Sequence, residues 1–168
     1  IELIVEGDVV DVDGLRLTVR TLERHGVSAV VLSETGTGED SVQSLCAKLA
    51  SGRNAMVTAD FMIFAGLDGI DDEAAFSRAK RYVEAGADTI VIMNAPKDSE
   101  RLAQFSSACS EIECKVPLVL RAAADSPVDE QGVRGSGIQC LIYADHLLGA
   151  IFPKLTEAVN EILEGATV

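Results

Sequence analysis

DDEAAFSRAKRYVEAGADTIVIMN, residues 71–94, passes from a helical repeat to a strand in one short stretch, and its reading decides the fold class. Asp71 can cap a helix. Ala75, Phe76, Ala79, Tyr82 and Val83 recur at helical spacing on one apolar face, and Gly86 ends the pattern. TIVIM then reads as a strand rich in β-branched residues, closed by the polar Asn94. The same punctuation, a glycine followed by an apolar and then a polar residue, occurs at Gly26-Val27-Ser28, Gly86-Ala87-Asp88 and Gly137-Ile138-Gln139. Each closes a helix and feeds a strand, so the chain reads as a repeated βα unit.

Working outward, strands are expected at Glu2 to Glu6, Ala29 to Ser33, Ala55 to Asp60, Thr89 to Asn94, Leu118 to Arg121 and Gln139 to Tyr143. Helices are expected at Gly14 to His25, Asp40 to Ser51, Asp71 to Ala85, Ser99 to Ser110, near Asp129 to Arg134, and at Leu147 to Leu163. Short apolar strands alternating with amphipathic helices indicate an α/β protein with a parallel sheet. A closed barrel, an open doubly wound sheet and a flavodoxin-like sandwich all satisfy that alternation. No GxGxxG or GxxxxGK[ST] loop follows any strand, which removes the usual support for a nucleotide-binding open sheet.

The chain has 168 residues and is 48% hydrophobic, enough for one well-buried core and too little for two ordinary domains. Residues 1–168 are therefore read as a single domain, or part of one. Ile1 stands where a start methionine would, and the chain opens directly on a strand, so it is expected to be a segment of a larger polypeptide. A formal charge of −13 repels nucleic-acid backbones and anionic lipid headgroups. Neither is expected as a partner, and an anionic substrate needs a local cation or a metal to hold it. Cys46, Cys109, Cys114 and Cys140 form no CxxC pair and read as reduced thiols of a cytoplasmic protein. No secretory segment and no long apolar run occurs.

Each expected strand ends on polar residues: Glu6 with Asp8, Ser33 with Glu34, Thr58 with Asp60, Asn94, Arg121, then Asp145 with His146. Polar residues gathered at the C-terminal strand ends are what a barrel active site is built from. Glu6, Asp8, Asp11 and Asp13 could supply oxygens to a hard cation, while acids at a helix start also cap it. His146 suits acid–base work near neutrality or a hydrogen bond to a carboxylate. Arg121 can hold an anion bidentately, or pair with a neighbouring acid.

RAKRYVEAGADTIVIM, the stretch VPLVL with its downstream SP, and LIYADHLLGA before a long terminal helix together resemble the phosphoenolpyruvate mutase and isocitrate lyase superfamily. That family carries an ERAxAYxxAGADAI helix and strand and a later VIxANHxLRA-like turn. The resemblance runs from about Leu3 to the terminal helix. It implies a TIM-type (β/α) barrel segment of about six parallel βα units, lacking the first two units of the family barrel. It also implies Mg2+, with Mn2+ as a substitute, and a small anionic substrate: phosphoenolpyruvate, phosphonopyruvate or a related 2-oxo acid. A homo-oligomer is implied as well.

Carried over by position, Glu6 and Asp8 fall on the aspartates of the family's DAD metal motif, and Ser33 and Glu34 fall on its LED acids. Metal ligation is thereby assigned to Glu6, Asp8 and Glu34. Substrate contacts fall to Asp145, Thr58 and Ser33, and catalytic roles to His146, Asn94 and Arg121. The VAR arginine that holds the substrate's charge is expected at Val57-Thr58-Ala59, and is absent there. No KKCGH loop of the lyase branch is present, and TGTGED, residues 35–40, is shorter than the mutase gating loop. Two functions follow: a Mg2+-dependent isomerase or lyase acting on C–P or C–C bonds, or a catalytically degenerate barrel module with a structural or assembly role. A flavodoxin-like regulatory domain is a third, opposed by the lack of a strand-end lysine.

Overall fold

The structure is a computed structural model that describes residues 4–6, 12–34, 36, 38–70, 74–94, 99–111, 115–122 and 130–165. Its elements alternate throughout. They are β1 (Ile4–Glu6), α1 (Val12–Arg24), β2 (Ala29–Ser33), α2 (Glu39–Ala55), β3 (Met62–Leu67) and α3 (Ala74–Glu84). The second half continues with β4 (Thr89–Ile92), α4 (Ser99–Cys109), β5 (Leu118–Ala122), α5 (Glu130–Gly135), β6 (Cys140–Tyr143) and α6 (His146–Gly165). The six strands form one sheet in sequential order, and every neighbouring pair is parallel.

Helices α1 to α5 pack on one face of that sheet. Val30, Leu32, Ile63, Ala65, Ile90, Ile92, Leu118 and Leu120 meet Leu15, Leu49, Tyr82, Leu102 and Val133 in a single cluster. The opposite face, Ala29, Val31, Phe64, Val91 and Val119, clusters with Met62, Met93 and Ile142 and with no helix residue. These five residues are no more than 5% exposed, and no helix of the described residues packs on them. A sequentially ordered parallel sheet with its helices on one side is singly wound. A doubly wound or three-layer arrangement would carry helices on both faces. Strands β1 and β6 stand at the two edges and are not paired with each other among the described residues.

The third strand corrects the expected one. It runs from Met62 to Leu67, whereas Ala55 is the last residue of α2. Leu45, Leu49, Gly52 and Ala55 continue one buried helical stripe, so the helix outlasts the point where a strand was expected. The strand itself contains Gly66, a residue that weakens strand propensity and hides the run MIFAGL. Of the expected helix face, Ala75, Ala79, Tyr82 and Val83 are buried on α3 and Phe76 is half-buried, whereas the expected cap, Asp71, lies outside the described residues.

At two of its three sites the glycine punctuation proves to be a strap. Asp88 takes the amide of Ile63 at 2.8 Å and the Arg53 guanidinium, and Gln139 takes the amide of Leu118 at 2.7 Å. In both cases the polar residue that opens one strand is tied to the start of the strand before it. Gly86, at φ 106°, makes the turn into this strap, and a Cβ there would meet only Arg53 at 3.5 Å. The space is ordinary and the backbone is not. Gly86→Ala should therefore cost about 1–2 kcal/mol of stability from backbone strain, measured by urea unfolding.

Helix α6 differs from the other five: none of its residues is buried. Leu147, Leu148, Ile151, Phe152, Leu155 and Ile162 are each more than half exposed along it. No helix of the described residues is long and apolar enough to cross a membrane. Of the described cysteines, Cys109 is buried, with its thiol pushed up to about 11 by that burial, Cys46 is half-buried and Cys140 is exposed.

Candidate active site at the strand ends

Two-residue alternation along each strand separates what faces the helices from what faces the concave side. Ser33 follows Ala29 and Val31 on the concave side, Gly66 follows Phe64, Met93 follows Val91, and Arg121 follows Val119. Glu6 pairs in register with Val31, two residues before Ser33. The concave strand ends thus bring Ser33, Gly66, Met93 and Arg121 to one end of the sheet. Asp8 lies outside the described residues.

Ser33 Oγ is buried and has no hydrogen-bond partner among the described residues. It stands over Gly66, where an added Cβ would meet Ser33 Oγ at 2.4 Å and Met93 Sδ at 3.1 Å. With β3 at Met62–Leu67, the VAR pattern moves from Val57-Thr58-Ala59 to Phe64-Ala65-Gly66, and a glycine holds the arginine place. Just beyond, Asn94 Nδ2 donates to Asp68 Oδ1 at 2.5 Å, joining the tips of β3 and β4.

At the other side of the same end, Arg121 and Asp145 come together at 3.3 Å, with side chains 24% and 60% exposed. His146 opens α6 with Nδ1 buried and without a hydrogen-bond partner among the described residues, and its ring meets Tyr143 edge-on with centroids 4.9 Å apart. The Tyr143 hydroxyl donates to Glu130, and that bond raises the phenol above its ordinary value.

Two assignments are corrected by placement. Glu34 falls on the helix-facing side: Arg78 Nη1 reaches both its oxygens at 3.1 Å, and the Tyr82 hydroxyl donates to it at 2.5 Å. Its side chain is 5% exposed. The oxygens expected to ligate a metal are satisfied by the arginine and tyrosine of the RAKRY motif, so the motif's work here is to fix the loop after β2. Thr58 lies in the loop before β3, at the end of the sheet opposite to Ser33 and Arg121. There its amide and hydroxyl, with the Val57 amide, all donate to Glu23. Burial acts to raise the Glu23 pKa, and these hydrogen bonds outweigh it and hold the carboxylate below its ordinary value.

No group of three His, Cys, Asp or Glu able to hold a metal forms among the described residues. Mg2+ does not require one, since it takes one or two carboxylates and keeps its waters. The buried Ser33 hydroxyl, without a hydrogen-bond partner among the described residues and on the strand next to that of Glu6, fits a hydrogen bond to such a water. Gly66 and Asp68 were missed in the sequence because the third strand was set too early, and Met93 because the polar Asn94 beside it was read as the strand-end residue. The available signal was MIFAGLD, an apolar run ending on a polar residue like the other strands.

A family model described as phosphoenolpyruvate phosphomutase matches residues 5–163. The phosphonopyruvate hydrolase of Variovorax sp. (strain Pal2) is 26% identical over 157 residues, covering 83% of this chain and 53% of that protein. The chain therefore spans about half the length of that curated relative. Among solved structures, a phosphonopyruvate hydrolase complex with oxalate and Mg2+ has a TM-score of 0.76 at 25% identity, covering 99% of this chain and 62% of that one. A 2,3-dimethylmalate lyase, a member of the PEP mutase/isocitrate lyase superfamily, has a TM-score of 0.81 at 16% identity, covering 97% and 61%. The latter likeness is one of fold.

Proposed function

The chain belongs to the phosphoenolpyruvate phosphomutase family, and from that premise we propose that it carries the substrate end of a Mg2+-dependent enzyme acting on C–P or C–C bonds of a 2-oxo acid such as phosphonopyruvate. The observation that carries this reading is the unpartnered, buried Ser33 hydroxyl at the concave strand ends, two residues past the register partner of Glu6. The complex of a relative with oxalate and Mg2+, aligned with 99% of this chain, supports it.

Glu6 and Asp8 would hold the ion. When bound, Mg2+ supplies the Lewis acidity that draws a substrate's carboxylate and adjacent oxygen together and lowers the cost of enolate charge. Arg121 contributes the cation for a carboxylate, and Asp145 stands beside it as counter-ion. His146 offers a ring nitrogen for proton movement beside that pair. Asn94, held by Asp68, presents an amide at the tip of β4.

The finer architecture is part of the same proposal: the six units correspond to six of the eight in a closed barrel. The exposed apolar residues of α6 support self-association through that helix.

Gly66 in the arginine place and the engagement of Glu34 by Arg78 favour a second reading, a noncatalytic barrel module. Calorimetric titration with oxalate, with and without Mg2+, separates the two. The enzymatic reading expects oxalate to bind only with the metal, and Glu6→Ala to abolish the binding while circular dichroism shows an unchanged fold. Silence in the folded, unaltered protein leaves the module as the account.

A further inference from the structure

We infer that the chain holds a second ligand site, for a monoanion with an apolar body such as an acyl or aryl carboxylate, in the groove between α1 and the loop before β3. This goes beyond the Mg2+-dependent reading and does not rest on it. The groove opens at the end of the sheet opposite to Ser33 and Arg121. It is a cavity of about 530 Å³ lined by Leu17, Arg20, Glu23, Arg24, Val57 and Thr58. That volume is ordinary for a small-molecule site.

The apolar part of the groove is open. Outside β6 and α6, Leu17 and Val57 are the only exposed large apolar side chains among the described residues, at 66% and 76%. Both line this one cavity. Glu23 holds their two elements together: the Val57 amide donates to its oxygens at 3.1 and 3.0 Å, and the Thr58 amide and hydroxyl donate to it at 2.9 Å. The loop is thereby fixed against α1, so the groove exists before a ligand enters it.

The charge of the groove opposes that of the chain, which is −13 overall. Arg20 and Arg24 bring two guanidinium groups, and the one carboxylate, Glu23, is already engaged by the loop. Arg20 donates through Nε to the Ala55 carbonyl at 3.4 Å, and Arg24 through Nε to the Arg20 carbonyl at 3.2 Å. Each guanidinium is thus anchored on backbone, with its terminal nitrogens left to meet an anion. Glu23 offsets one of the two charges and one remains, which suits a single carboxylate held by a guanidinium fork. A small hydrophilic anion would leave Leu17 and Val57 in water, whereas an apolar monoanion covers them.

The test is calorimetry with octanoate, octanamide and acetate on the unaltered protein, repeated with Arg24→Gln and with Leu17→Ser. Octanoate is expected to bind at least about tenfold more tightly than octanamide, which lacks the charge, or acetate, which lacks the apolar body. Arg24→Gln should erase the preference for octanoate over octanamide. Leu17→Ser should weaken octanoate by about fivefold or more, and both proteins should keep cooperative thermal melts. Failure of octanoate to bind, or octanamide binding as tightly, would overturn the inference. So would octanoate binding that Phe152→Ser abolishes and Arg24→Gln leaves intact, since that places the ligand on α6. Displacement of octanoate by oxalate in saturating Mg2+ would overturn it too, by placing the ligand at the strand ends. Octanoate binding in a protein that ignores oxalate and Mg2+ sinks the Mg2+-dependent reading alone.

Discussion

Arg78→Leu should cost about 3 kcal/mol or more of stability, because it strips a buried carboxylate of its cation. The Glu34 side chain is 5% exposed, Arg78 spans both its oxygens at 3.1 Å, and among the described residues only the Tyr82 hydroxyl would remain to it. Urea unfolding at neutral pH measures the loss. A change below about 1 kcal/mol would mean that water reaches the carboxylate, since exposed pairs are worth no more than that.

The same cluster predicts an alkaline limb. Burial first, and then the hydrogen bond and charge of Glu34, push the Tyr82 phenol well above its ordinary value. In the unfolded chain the phenol ionises near about pH 10. The folded state keeps its proton there, so the phenol's contribution is complete below that pH and declines as pH rises beyond it. Tyr82→Phe should flatten the slope of stability between about pH 9 and 11. An unchanged slope would place its origin elsewhere.

Arg121→Gln should weaken Mg2+-dependent oxalate binding by about thirtyfold or more, the effect of removing a cation from a charge-assisted contact. Its stability cost should be small, because the pair with Asp145 is partly open to solvent, at 24% and 60% exposure. Asp145→Asn is the informative companion. If Asp145 is the counter-ion that a ligand displaces, its neutralisation frees the guanidinium and tightens oxalate binding by a few-fold. If Asp145 instead contacts the ligand directly, the same change weakens binding. Calorimetry on the two variants decides between a displaced counter-ion and a ligand contact, and an Arg121→Gln protein that binds oxalate normally removes Arg121 from the site altogether.

Much of the fold was legible because helices and strands announce themselves locally. The buried stripe of α3, the positive-φ glycines at 26, 86 and 137, and the βα order all follow from short-range spacing and backbone chemistry. The strand ends that form the candidate site were legible for the same reason at Ser33, Asn94, Arg121 and Asp145, since a polar residue after an apolar run marks where a strand emerges. Helix α2 defeated that reasoning at one boundary: its apolar stripe runs on to Ala55, and Gly66 disguises the strand that follows.

By itself, the sequence determined the alternation, the polar ring at the strand ends and the lack of a nucleotide loop. Only the tertiary structure decided which side of the sheet each residue occupies. AVVLS and TIVI are buried on both faces, so their side chains carry no alternation of polarity from which the facing could be read. Pairing register supplies that missing parity. It sends Ser33 to the concave face and Glu34 to Arg78 and Tyr82 behind the sheet, setting a hydroxyl rather than a carboxylate among the candidate site residues.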